Sequence, residues 1–95
     1  MFQSTARRFY QIIGKTKLTD LPLEWQAPVS QFLDAEEKAD PEFKNAEIRG
    51  SRPHLSHDDP SDKEDVISVR LKDADNKTMR RIHIHQDGSA KKITG

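Results

Sequence analysis

Two alternating runs restrict this chain more than any other feature. In DVISVRLK (65–72), Ile67, Val69 and Leu71 alternate with Val66, Ser68, Arg70 and Lys72; in TMRRIHIH (78–85), Ile82 and Ile84 alternate with Arg81, His83 and His85. A period of two marks strands whose faces meet different surroundings. The residues DADNK supply a turn between the runs, and Asp87-Gly88 is a strong hairpin signal that predicts a third strand. A two-residue turn at Asp87-Gly88 sets Ile82 opposite Ile93 and His83 opposite Lys92. The expectation is a three-stranded antiparallel sheet over about 65–72, 78–85 and 90–94. One face then carries Ile67, Val69, Leu71, Ile82, Ile84 and Ile93; the other is basic, with Arg70, Lys72, Arg81, His83, His85 and Lys92.

The apolar face needs a cover. Two short helices are predicted to supply it. In APVSQFLDAEEKAD, Pro28 suits a first helical position, which gives a helix over about 28–39. In DPEFKNAEIRG, Asp40 reads as an N-cap, Pro41 as the first helical residue and Gly50 as the stop, which gives a helix over about 41–49. Phe32, Leu33 and Phe43 are their contributions to the core. The expected class is therefore small α+β, with an extended or disordered N-terminal segment and linker. The polar stretch 50–64 reads as that linker.

Twenty Leu, Ile, Val and Phe residues in 95 allow one small core at most. Cysteine is absent, which excludes disulfides, thiolate metal sites and a cysteine nucleophile. No apolar run approaches the roughly 18 residues of a membrane span.

The zero formal charge hides an uneven layout. Residues 1–18 carry four basic groups and no acid, 19–48 two lysines against eight acids, and 66–95 seven basic groups against three acids. On a helix, Phe2, Ala6, Phe9 and Ile13 fall within about 60° of one another, opposite Arg7, Arg8 and Lys15. A basic, acid-free amphipathic segment with Ser and Thr has the character of a mitochondrial transit peptide. Arg7-Arg8-Phe9-Tyr10 fits processing by a matrix peptidase after Phe9 or Tyr10, so residues 1–10 are the candidate presequence. Residues 11–27 follow as an extended connector, 28–49 as an acidic helical segment, and 65–95 as a basic β-meander.

Candidate chemistry is sparse. His83 and His85 project from one strand face, and with His57 they are the metal candidates. Polar partners in a mobile linker make a poor ligand platform, so no metal or other cofactor is assigned. Glu36 and Glu37 are sequence neighbours and do not face each other on a helix. DADNK lacks the spacing and glycine of a calcium loop. No nucleophile–histidine–acid set, phosphate loop or dinucleotide fingerprint is present, and the chain is not expected to be an enzyme. Partner-binding candidates are Leu21, Leu23 and Trp25 in the connector, and Arg70, Arg81 and Lys92 on the basic face.

These features lead to three expectations. The first is an accessory subunit or assembly factor of a mitochondrial matrix-side complex, with protein subunits, respiratory ones foremost, as partners. The second is a mitoribosomal or RNA-associated protein using the basic strands, although residues 44–95 contain no Phe, Tyr or Trp to stack on bases. The third is a free-standing soluble protein-binding module.

Overall fold

The structure, a computed structural model, describes residues 10–56 and 61–93. The elements run β1 (Gln11–Ile13), a 3-10 turn (Leu18–Asp20), helix α1 (Leu23–Ala39), β2 (Asn45–Ile48), β3 (His54–Leu55), β4 (Asp65–Lys72), β5 (Thr78–His85) and β6 (Ala90–Ile93). All six strands join one sheet in the order β1-β2-β4-β5-β6, with β3 pairing β4 beyond the end of β2. The mixed α+β class stands. The three-stranded sheet under two helices does not: the sheet has six strands and α1 is the one helix among the described residues.

The expected second helix over 41–49 is a turn followed by β2. Asp-Pro serves a turn as well as a helix start, and here it makes the turn. Asp40 closes α1, its N–H donating to the Glu36 carbonyl at 2.8 Å. Its carboxylate accepts the Glu42 N–H at 2.9 Å, and its carbonyl accepts the Phe43 N–H at 3.2 Å. The chain then leaves in extended form. Asn45 and Glu47 point one way while Ala46 and Ile48, both buried, point the other. That period of two outweighs the helical start and stop signals.

The helix predicted over 28–39 begins earlier, at Leu23, so Pro28 lies inside it rather than at its start. Proline there removes the N–H that would bond the carbonyl of Glu24. Glu24 is solvent-exposed in the first turn. The compensation is a continuous stripe: Leu21 in the approach, then Trp25, Val29 and Leu33 at four-residue spacing, all buried. The Gln26 amide donates to the Leu21 carbonyl at 3.0 Å and fixes the entry into the helix. Thus much of the extended connector forecast over 11–27 is strand and helix, since β1 also falls within it.

The stripe seats on the face formed by Ile67, Val69, Leu71, Ile82 and Ile84, joined by Phe43, Ala46, Ile48 and Tyr10. Strand β1 runs parallel to β2, with Gln11 beside Asn45 and Ile13 beside Glu47. Tyr10, just before it, stacks on Phe43 with ring centroids 5.0 Å apart and donates its hydroxyl to Asp34 of α1 at 2.7 Å. On the same side, Arg80 of β5 reaches Glu36 at 3.0 Å and Asp40 at 2.7 Å. Its hydrogen bond holds the Asp40 carboxyl below its ordinary pKa.

The β5–β6 register departs from expectation by one residue. The loop is Gln86-Asp87-Gly88: the His85 N–H donates to the Ser89 carbonyl at 2.8 Å, and the Gly88 N–H to the His85 carbonyl at 3.0 Å. Gly88 has φ +93°, the left-handed residue of a three-residue hairpin loop. Consequently Ile82 faces Lys92 and Arg81 faces Ile93. A slip of one residue turns every β6 side chain to the opposite face. Lys92 therefore leaves the basic face, while Lys91 and Ile93 join it.

The stripe generates a test. Leu33→Ala should lower the unfolding free energy by about 2–5 kcal/mol, as expected for a fully buried leucine. Leu23→Ala, at a side chain 83% exposed, should change it by less than about 0.5 kcal/mol. Urea denaturation of the two variants checks both; equal losses would contradict the packing described.

Candidate functional site: the open face of the sheet

Among the described residues, one helix covers one face. The opposite face is built from the alternate residues of the same strands, so it is polar wherever the core face is apolar. At its centre Arg70 of β4 stands directly opposite Arg81 of β5. Together with Arg49, Ser68, His83 and Ile93 they line a hollow of about 300 Å³. Among the described residues no carboxylate lies within 4 Å of the Arg70 or Arg81 guanidinium.

Glu47 of β2 is the register partner of Arg70, but its carboxylate is engaged elsewhere, by Lys72 at 3.1 Å and Arg49 at 3.1 Å. Burial pushes the Glu47 pKa up; the two cations outweigh it and hold the carboxyl below its ordinary value. Among the described residues, the face sets Arg49, Arg70, Lys72, Arg81 and Lys91 against Glu47 and Asp62. It is an anion-attracting surface.

A polar clasp closes the end of this face away from β1. The Ser56 hydroxyl and His83 Nδ1 lie 2.9 Å apart, and His85 Nε2 meets Asp62 Oδ2 at 2.8 Å. Both side chains of the second pair are almost wholly buried, 7% exposed for His85 and 4% for Asp62. Burial raises the Asp62 pKa, but the Glu64 N–H, the His85 ring and Lys91 together pull it below its ordinary value. His54 lies beside them, its Nε2 3.3 Å from Ser68 Oγ and its ring centroid 6.3 Å from that of His83.

His83 and His85 do share a face, as their spacing implies, yet each has its polar partner from the segment that follows β3. His57 lies outside the described residues. Among the described residues no three His, Asp or Glu side chains converge as metal ligands. Leu21 and Trp25 are 3% and 5% exposed and are committed to the core, whereas Leu23 stands in solvent. Arg70 and Arg81 lie at the centre of the open face, and Lys92 on the other side of the edge strand.

Arg49, Ser56 and Asp62 are the contributors that sequence reading missed. The alternation Ala46, Ile48 against Asn45, Glu47, Arg49 was the available signal for Arg49. Ser56 and Asp62 sit in a polar stretch with no periodicity to mark them. A larger hollow of about 660 Å³ lies beside Trp25 and is lined by Glu64, Asp65, Gln86 and Asp87. It is acidic and shares no residue with the basic face.

Among the described residues no helix is long and apolar enough to cross a membrane. In comparison with known proteins, the chain matches no family model, and no characterised protein or solved structure is significantly similar to it.

The clasp has a pH signature. A carboxyl whose folded pKa lies below its unfolded value stabilises the fold fully above the unfolded value, and this is lost as pH falls through the folded one. For Asp62 that window lies below its ordinary 3.8. Asp62→Asn should therefore destabilise the protein at pH 6, and the gap from the unsubstituted protein should narrow as pH falls below 3.8. Thermal melts from pH 6 to 2.5 check this; a constant gap means the charge contributes nothing.

Proposed function

We propose that this protein is a small non-catalytic accessory subunit or assembly factor of a mitochondrial matrix-side complex, a respiratory one foremost, and that it docks a carboxylate-rich protein surface with its open sheet face. The observation that carries the proposal is the Arg70–Arg81 pair. Like charges directly opposite in a sheet are destabilising. A sequence that sets two arginines directly opposite each other, with the neighbouring Glu47 engaged by Lys72 and Arg49 and no carboxylate of the described residues within 4 Å of either guanidinium, violates a local rule of sheet stability. Such violations are expected at functional sites. A carboxylate-bearing partner relieves the repulsion and gains two charge-assisted hydrogen bonds.

The mitochondrial part rests on the basic, acid-free segment 1–10, of which all but Tyr10 lies outside the described residues. A nucleic-acid partner is the less favoured reading. The described residues of the open face include no Phe, Tyr or Trp, so base stacking is unsupported and phosphate contacts alone remain.

Arg81→Glu separates docking from a merely solvated face. It converts a repulsive cross-strand pair into an attractive one, so the isolated protein should gain about 0.2–1 kcal/mol of stability. The same substitution should release the protein from its complex on native gels of mitochondrial extract. A variant that is more stable and still co-migrates with the complex would rule out docking through this face. Migration with ribosomes, abolished by ribonuclease, would favour the RNA reading instead.

A further inference from the structure

We infer that the presequence is removed at the Phe9–Tyr10 bond, so that Tyr10 is the first residue of the working protein. The inference rests on the mitochondrial address proposed above. Two cuts fit the sequence. After Phe9, the bond is preceded by Arg7, Arg8 and an aromatic residue; after Tyr10, it is preceded by Arg8 and two aromatic residues. Both present arginine a few positions upstream and an aromatic side chain at the cut.

The fold separates them. Tyr10 is 4% exposed and belongs to the hydrophobic core. Its ring stacks on Phe43 at 24° between planes, and its hydroxyl reaches Asp34 of α1. One residue later, the Gln11 N–H donates to the Lys44 carbonyl at 2.9 Å, the first bond that ties β1 to the chain leading into β2. A cut after Tyr10 takes an aromatic side chain out of the core and removes the phenol donor from Asp34. It also turns the Gln11 N–H into a charged amino terminus at the start of the ladder. A cut after Phe9 does none of these things, and every buried side chain among the described residues stays in the product. The peptidase acts on an extended chain and reads arginine and aromatic residues. Folding then decides which product persists, and of the two only the one beginning at Tyr10 retains every core side chain of the described residues.

Two measurements test this. The full chain is incubated with purified matrix processing peptidase, and the product masses are compared with that of the protein isolated from mitochondria. Both should lack residues 1–9. Chains made to begin at Tyr10 and at Gln11 are then melted: the first should match the full chain, and the second should melt more than about 10 °C lower or not fold. Cutting after Tyr10, retention of residues 1–9 in the mitochondrial protein, or equal melting of the two shortened chains overturns the inference. A protein that never enters mitochondria removes the address and this inference with it. A protein that enters and is cut elsewhere removes only the inference.

Discussion

The seating of one helix stripe on one sheet face determines the rest of this structure. Leu21, Trp25, Val29 and Leu33 meet the inward residues of β2, β4 and β5, and nearly all the large buried side chains belong to that contact. The described residues form no second layer. The sheet therefore keeps a face that no helix of the described residues covers, and that face carries polar and charged groups. Its basic character is a choice within that limit, because uncharged polar residues satisfy solvent equally well.

The strands of the β-meander were legible because their alternation is local. Ile67, Val69 and Leu71, and Ile82 and Ile84, were assigned to the core face from spacing alone, and they occupy it. The failures come from signals with two meanings. Asp40-Pro41 begins helices and also makes turns, and the choice depended on whether β4 offered Ala46 and Ile48 a place to pair. Pro28 marks a helix start in isolation, but a stripe of buried residues on both sides of it outweighs one lost hydrogen bond. Asp87-Gly88 announced a hairpin without fixing its loop length, and that one residue decided the facing of Lys91, Lys92 and Ile93. The short strands β1 and β3 had no local signature: β1 is defined by β2, far along the chain, and β3 by two residues of β4 across a polar stretch without periodicity.

For the site, residue type was legible and neighbourhood was not. Arg70 and Arg81 could be assigned to one face from the sequence, but that the neighbouring Glu47 pairs with neither depends on how it is shared between Lys72 and Arg49. The histidines show the same limit. Spacing brought His83 and His85 to one face, while their partners, Ser56 and Asp62, come from a stretch whose path no periodicity describes. Burial of the His85–Asp62 pair ties the two groups together, because losing either leaves the facing atom of the other, His85 Nε2 or Asp62 Oδ2, buried without that partner.

The borders of the sheet carry a further consequence. β6 is an outer strand of four residues, with Lys91 and Lys92 directed to opposite faces, and β1 is an outer strand of three residues ended by Gly14 at φ +89°. Short length and lysine on the margin both discourage another strand from adding there. Backbone-to-backbone extension, the simplest route by which a sheet recruits a second chain or a copy of itself, is blunted on both sides. Contact with other molecules is thereby directed away from the rim and onto the broad surface, where side chains rather than main-chain groups decide what is accepted.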